Sequence, residues 1–180
     1  MGNNEPIRSV VTVQKLTDVG LLRDACSFTI DMKSKADLAK MYRSEHSPIR
    51  TQLFWIEMFD IPTFVSVHLV RHHVGVDHFV KSNREDGLGY SGDAGRWQPV
   101  NHAMLINAQA LINMARKRLC LKAHIETVRT MVKIRKAILP IDRWLALFMV
   151  PECEYRGFVC NEPHPCKHAD RMVNVPHTWK

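Results

Sequence analysis

The 180-residue sequence lacks the features that define several simpler classes of protein. No apolar run approaches the ~20 residues that a membrane-spanning helix needs. The longest candidate, WLALFMVP from position 144, is far too short, so we expect no membrane partner. Only 8 glycines and 9 prolines are present, which excludes collagen-like and low-complexity chains. The length suits one domain of about 100–200 residues with its own hydrophobic core.

An even set of cysteines is also lacking. The chain has five, so they do not form a complete disulfide framework. The first residues, MGNNEPIRSVV, have no apolar stretch of the kind found in secretory signals. We therefore expect reduced thiols and a cytoplasmic location.

The net charge of +7 is carried entirely by the second half of the chain. Residues 1–90 contain 11 basic and 11 acidic side chains, whereas residues 91–180 contain 14 and 7. Such an imbalance is compatible with a solvated helical face, a nucleic-acid patch, or the wall of a site for phosphorylated small molecules. Most of the basic residues lie in one stretch: Arg116, Lys117, Arg118, Lys122, Arg129, Lys133, Arg135 and Lys136.

Hydrophobic patterning predicts alternating strands and helices up to about residue 150. Beyond Pro151 the periodicity disappears, in a segment rich in Cys, His and Pro. We therefore predict a domain over residues 1–150 and an irregular tail over 151–180. The patterns predict strands at 10–16 and 51–60, a short helix after Ser34, a helix from Pro62 to about 73 and a loop at 87–95. Apolar periodicity over 104–119 and again from 125 to 139 predicts one long or broken helix, or two helices in sequence.

The densest group of chemically active side chains is His68, Arg71, His72 and His73. On a helix, His68, Arg71 and His72 share one face through their i, i+3, i+4 spacing. Arginine offers paired donors to phosphate, and histidine can donate without a permanent charge, so this group suits an anionic, planar ligand. The alternative is that these side chains simply cap the carbonyls of their own helix. Metal binding is not favoured, because no HExxH or comparable spacing is present.

Five short motifs, taken together, resemble those of the flavin-dependent thymidylate synthases. That family has an R-H-R triplet ending a helix, then S-x-R, an upstream flavin-site His, an early S-F pair and a later A-R-x-x-L-P element. The order and setting are similar over roughly residues 20–145. The corresponding positions are Arg71-His72-His73, Ser82-Asn83-Arg84, His46 in EHSP, Ser27-Phe28 and Ala115-Arg116-Lys117-Arg118-Leu119.

The sequence departs from the family pattern at several positions. The third residue of the triplet is His73, His68 stands where the family has Gln, and Cys120 stands where it has Pro. The family's C-terminal Arg–Ala-Gln element is replaced by Glu154-Tyr155-Arg156. The resemblance therefore points to a short, divergent member.

The resemblance implies an α+β fold, a small mainly antiparallel sheet packed with long helices. It implies FAD held at the subunit interfaces of a homotetramer, with NADPH as reductant and methylenetetrahydrofolate as carbon donor. The implied reaction is C5 methylation, or a related alkylation, of a pyrimidine deoxynucleotide such as dUMP. The implied catalytic residues are Arg71, Ser82, Arg84 and Arg116; the FAD-binding residues are Ser27, His46, Arg71, His72 and His73; the nucleotide-binding residues are His68, Ser82, Arg84 and Arg116.

The tail contains a second group of candidate ligands, Cys153, Cys160 and Cys166. Thiolates bind zinc well, and a metal would hold together a segment that has little apolar content. The fourth ligand is left open between Cys120, His164 and His168. The alternative is a set of ordinary reduced thiols, because the spacing is not that of a C-x2-C finger.

Two other functions are compatible with the sequence. The basic stretch and a zinc-bound tail also suit a protein that binds or modifies nucleic acid, although no RNP, KH or finger spacing is present. A catalytically silent relative that keeps the fold for assembly is the third alternative, because the R-H-R triplet is altered.

Overall fold

The computed structural model describes residues 9–82, 95–166 and 168. Within them, four strands form one sheet in the order β1-β2-β4-β3, and every pairing is antiparallel. The predicted α+β class is confirmed. The strands are β1 (Val10–Lys15), β2 (Leu53–Pro62), β3 (Val76–Val80) and β4 (Pro99–Asn107).

The sheet has one face covered by helices, and the sequence alternation explains why. On β2, Phe54, Ile56 and Met58 are buried, whereas the residues between them are only partly buried. Ile56 pairs with Met104 of β4, so the buried side chains of neighbouring strands lie on the same face. The α-helices are α1 (Val19–Ile30), α2 (Leu38–Ser44), α3 (Thr63–Val70), α4 (Ala108–Arg118), α5 (Ile125–Ile138), α6 (Arg143–Phe148) and α7 (Glu152–Tyr155).

Several helices begin where a side-chain oxygen satisfies a free backbone N–H. Asp18 and Asp37 accept from the N–H groups of Leu21 and Lys40, at 3.2 and 2.9 Å. The predicted short helix after Ser34 therefore exists, but its cap is Asp37. Ser34 instead accepts a local bond, 3.1 Å from the Ala36 nitrogen.

The prediction of a helix starting at Met104 is wrong. Met104 lies in β4, where burial alternates through His102, Met104 and Ile106 with the two-residue period of a strand. The helix begins at Ala108, because the Asn107 side chain accepts from the N–H of Ala110 at 2.9 Å. Met104 lies four residues before Ala108, a spacing that fits both the two-residue period of a strand and the 3.6-residue period of a helix.

Some of the other predicted secondary-structure elements are confirmed and some elements were not predicted. The strands near 10–16 and 51–60, the helix after Pro62 and the helix from 125 are confirmed. The sequence reading missed α1, β3 and the short helix α7 in the tail. Most of the predicted loop at 87–95 lies outside the described residues. In the described part of the chain, no helix is both long and apolar enough to cross a bilayer.

A buried carboxylate, that of Asp142, ties three elements together. It is only 4% exposed and receives Lys15 Nζ at 2.7 Å and the Tyr42 hydroxyl at 2.8 Å. Its other oxygen caps α6 by accepting from the N–H of Leu145 at 3.1 Å. Burial and the neighbouring Asp142 charge raise the pKa of Tyr42, so its hydroxyl stays a donor. These bonds join β1, α2 and α6 around one charge.

Replacing Tyr42 with Phe should lower the free energy of unfolding by about 1.5–3 kcal/mol, the range for a hydrogen bond to a charged group. Phe keeps the ring, so no cavity forms and the loss reports the hydroxyl. Tyr155→Phe is the matched control because Tyr155 is 49% exposed, and it should change stability by at most about 0.5 kcal/mol. Urea denaturation measures both. Equal losses in the two variants would contradict the role of Asp142.

Candidate functional site

The end of α3 carries the histidine and arginine cluster. Arg71 is the C-cap residue of the helix and is exposed, as is His73 beyond it. His68 and His72 are partly buried, and His68 Nδ1 lies 2.9 Å from the Thr127 hydroxyl of α5. The structure therefore brings the predicted triplet and His68 to one helix end, as their spacing implied.

One side chain that sequence reasoning did not assign to the site, Arg118 of α4, fixes this helix end. Its Nη2 donates to the carbonyl of His68 at 2.6 Å, and its Nε donates to His72 Nε2 at 3.0 Å. The His68 carbonyl is one of the last four of α3, which have no partner inside the helix. Because His72 Nε2 accepts a hydrogen bond, this ring is neutral, with its proton on Nδ1. Burial, followed by the charge of Arg118, lowers the pKa of His72 to about 4.

Positive charge dominates the surroundings of this helix end. Burial is the first cause that lowers the pKa of His68, and the nearby charges that lower it further come from Arg118, Arg71, His124 and Arg96. Burial and then the charge of Arg71 also lower the pKa of Arg118. The positive charges of Arg71 and Arg118 therefore lie close together at the end of α3. Such a field favours an anionic ligand.

Behind the helix end, three side chains form a hydrogen-bonded relay in the interior. His78 Nε2 lies 2.7 Å from the His72 carbonyl, which can only accept, so this nitrogen carries a proton. His78 Nδ1 lies 2.9 Å from His102 Nε2, and His102 Nδ1 lies 3.0 Å from the Ser66 hydroxyl. A neutral His102 satisfies the whole chain by donating to His78 and accepting from Ser66. Burial, then the neighbouring His78, lowers the pKa of His102 to about 4.

A separate cavity of about 280 Å³ lies on another side of α4, next to Arg116. The guanidinium of Arg116 pairs with the Glu45 carboxylate, and its carbon lies 3.5 Å from the centre of the Tyr155 ring. Among the described residues, the buried Nε of Arg116 has no hydrogen-bond partner. Burial lowers the pKa of Arg116, against the opposing influence of Tyr155 and Glu152. Arg116 lines the cavity, whereas its Nε is buried away from solvent.

The structure separates Arg116 from the triplet within one chain. Two residues along an α-helix correspond to a rotation of about 200°, so Arg116 and Arg118 point to different sides of α4. Arg118 meets α3, whereas Arg116 meets Glu45 at the end of α2 and Tyr155 of α7. Of the predicted nucleotide residues that the structure describes, His68 and Arg116 therefore lie on different sides of α4 within one chain.

The other predicted residues have varied positions. His46 is exposed and precedes the 3-10 turn Ser47–Thr51. The Ser27 hydroxyl donates to the Arg23 carbonyl at 2.7 Å and accepts from the Ser34 N–H at 2.9 Å, so local bonds already engage it. Ser82 is exposed just after β3. Arg84 lies outside the described residues.

Half of the eight basic side chains in the stretch have partners in other elements of the chain. Besides Arg116 and Arg118, Lys133 donates to the carbonyl and hydroxyl of Ser9, both at 2.7 Å. Arg135 donates to the Ala146 carbonyl at 2.9 Å. The other four, Lys117, Lys122, Arg129 and Lys136, are exposed, so the stretch is divided between internal contacts and a solvated face.

Sequence reasoning missed Arg118, His102, Glu45 and Tyr155 as members of these sites. Arg118 was visible only as part of the basic stretch, and its position two residues after Arg116 was the available signal. The three tail thiols Cys153, Cys160 and Cys166 line one small pocket with Cys120. Among the described residues, no group of three or more His, Cys, Asp or Glu side chains is arranged to hold a metal ion as it stands.

The neutral His102 predicts an acid-sensitive fold. Folding lowers the pKa of His102 from 6.5 to about 4. Between these two pH values, His102 is therefore protonated in the unfolded chain and neutral in the folded chain. Its stabilisation is complete above pH 6.5 and is lost as the pH falls towards 4. At about 1.4 kcal/mol per pKa unit, the loss is on the order of 3 kcal/mol.

Urea denaturation at about pH 7.5 and about pH 5 tests this expectation. His102→Gln should remove about half of the difference, because His72, whose pKa is also lowered to about 4, keeps its own share. His164→Gln, at an exposed position, should leave the difference unchanged. A pH difference that is the same in both variants would contradict the role of His102.

The comparisons with known proteins reveal a likeness of fold. No protein-family model and no curated protein matches the sequence. Two crystal structures of thymidylate synthase X (ThyX) from Helicobacter pylori, both with FAD and dUMP, superpose with TM-scores of 0.66 and 0.65. Each is 14% identical to this chain; 79% and 78% of this chain and 99% of each ThyX chain are covered. The chain is thus similar in architecture to a flavin-dependent thymidylate synthase.

Proposed function

We propose that the chain is an FAD-binding enzyme that methylates, or otherwise alkylates, C5 of a pyrimidine deoxynucleotide such as dUMP. The observation that carries the proposal is the positive field at the end of α3, on a fold similar to that of ThyX bound to FAD and dUMP. The motifs at 71–73 and 115–119 supply the family-specific part of the argument.

The residues at the end of α3 fit the chemistry of FAD. Arg71 and His73 are exposed, so they can reach a ligand outside the chain. Arg71 carries a charge that complements a pyrophosphate, and Arg118 adds a second positive charge behind it. His72 is held neutral by the Arg118 bond, which leaves its Nδ1–H as a donor to a carbonyl or a ring nitrogen. Bound FAD, once reduced by NADPH, would supply the hydride that completes a methyl group delivered by methylenetetrahydrofolate.

The Arg116 cavity fits a nucleotide rather than a dinucleotide. Its volume of about 280 Å³ is near the lower end of the roughly 300–1,000 Å³ typical of ligand pockets. Arg116 lines the cavity, and its guanidinium would offer charge-assisted donors to a phosphate oxygen or a pyrimidine carbonyl. Glu45 competes with such a ligand for the same guanidinium.

Assembly into a homotetramer, also part of the proposal, has support in the surface of α3. Val67 and Val70 lie on its outward side and are 47% and 36% exposed, and Val74 just beyond the helix is 78% exposed. Exposed apolar side chains close together indicate a surface that another chain covers. Within one chain, Arg116 lies away from the triplet. A second copy of the chain would place its own side chains beside the triplet instead.

FAD binding is tested by titrating the apo-protein with FAD and following the quenching of flavin fluorescence. Arg71→Gln should weaken binding by roughly one to two decades, since it removes one charge-assisted contact. Arg129→Gln is the matched control, because Arg129 pairs with Glu126 on an exposed part of α5. No saturable binding by the folded parent protein would overturn the proposal.

Nucleotide binding is tested with variants that act in opposite directions. Arg116→Gln should weaken dUMP binding by roughly one to two decades, because a charge-assisted donor is lost. Glu45→Gln should strengthen it, because the competing carboxylate loses its charge. Calorimetric titration measures the affinities, with Arg129→Gln again as the unchanged control. If both variants lower the melting temperature and neither changes the affinity, the Arg116–Glu45 pair is structural only.

A further inference from the structure

Four of the five cysteines line one small pocket, which we call the thiol pocket. It lies between the end of α4 and the chain that follows Pro151, and its volume is about 100 Å³. The fifth cysteine, Cys26, is buried in the hydrophobic core and takes no part. The four thiols of the pocket are those of Cys120, Cys153, Cys160 and Cys166.

The fold, rather than the local sequence, brings these thiols together. Cys120 directly follows Leu119, the C-cap residue of α4, and Cys153 lies in α7. Because α7 packs against α4, the two cysteines meet although 32 residues separate them. Cys160 and Cys166 arrive from the irregular chain after α7. Each segment contributes thiols to the same pocket.

The structure also distinguishes the thiols from the neighbouring histidines. His164 does not line the thiol pocket. His168 lines it, but its Nε2 lies 2.9 Å from Glu154 Oε1, so that nitrogen already has a partner. Of the three candidates for a fourth ligand, Cys120 is the one that the fold places as a thiol beside the other three.

We propose that Cys120, Cys153, Cys160 and Cys166 bind one Zn²⁺ as a tetrathiolate site. Four cysteine ligands at about 2.3 Å in a tetrahedron are the usual arrangement of a structural zinc site. Among the described residues these thiols do not yet form a ligand set, so the proposal requires the sulfur atoms to move closer together around the metal. All four line the same pocket of about 100 Å³, which is where they would converge.

The zinc site also fixes the surroundings of Arg116. Cys120 lies four residues after Arg116, just beyond the end of α4, and on α7 Cys153 and Tyr155 are two residues apart. Zinc would thus clamp α7 to α4 at a point close to where the Tyr155 ring covers the Arg116 guanidinium. The consequence for nucleotide affinity rests on the proposed function, whereas the zinc site itself does not.

The experiment begins with the zinc content of the full chain, purified without added metal and measured by mass spectrometry. The expected result is one zinc per chain in the parent protein, in Cys26→Ala and in His168→Ala. Cys120→Ser, Cys153→Ser, Cys160→Ser and Cys166→Ser should each lose it. A parent protein that holds no zinc, even after incubation with ZnSO₄ and dialysis, would overturn the proposal. Retention of zinc in any of the four Ser variants would overturn the tetrathiolate.

Measurements on the parent protein keep the test valid if a Ser variant fails to fold. Replacing zinc with Co²⁺ should give the thiolate-to-metal charge-transfer band and the intense visible absorption of a tetrahedral sulfur site. Removing the metal with a chelator should make the chain after Pro151 sensitive to protease and expose four additional thiols to a thiol reagent. An octahedral Co²⁺ spectrum, or a tail equally resistant with and without chelator, would contradict the site.

These measurements separate the zinc site from the proposed function. Zinc content, the Co²⁺ spectrum and proteolysis involve neither FAD nor nucleotide, so a failure of flavin binding leaves them unchanged. If zinc is present and dUMP binds, chelation should weaken dUMP binding towards the level of Tyr155→Ala. If chelation leaves dUMP affinity unchanged, the proposed link between zinc and Arg116 is wrong although the metal site stands.

Discussion

The hydrogen bonds of Arg118 are the interaction on which the arrangement around α3 depends. One guanidinium reaches from α4 to the His68 carbonyl and the His72 ring, and so closes the end of α3. The His72 carbonyl then receives His78, which continues through His102 to Ser66 in the same helix. A circuit of polar contacts thus connects α3, β3 and β4. Because a buried polar group without a partner costs about 1–3 kcal/mol, each member constrains the next.

Helix α4 contributes one arginine to the end of α3 and another to the cavity beside α7, because the two side chains point in different directions. Arg118 supports the helix end where the triplet lies, and Arg116 borders the cavity covered by α7. A site that needs both therefore requires either a second copy of the chain or a ligand long enough to span the helix. The exposed valines along α3 favour the first arrangement, since they offer an apolar surface next to the triplet.

The chain shares its fold with ThyX although only 14% of the residues are identical. At 14% identity the architecture is retained, since buried alternation and helix caps can be met by many sequences. His73 is a histidine where the resembled family has an arginine, and the structure places Arg118 and Arg96 near the same helix end. The positive field there depends on residues from three segments of the chain rather than on the triplet alone.

The sequence by itself determined two of the strands, the helices after Pro62 and from 125, and the grouping of His68 with the triplet, because these follow from local periodicity. The α+β class followed from the resemblance of the short motifs to those of a known family. The sequence did not determine the start of α4, since Met104 fits both a period of 2 and one of 3.6. Only the tertiary structure decided which partner each polar side chain has. Arg118 and His72 are 46 residues apart, and Cys120 and Cys153 lie on segments that meet only when α7 packs on α4. Such pairings arise from the folded path of the chain, which no local pattern encodes.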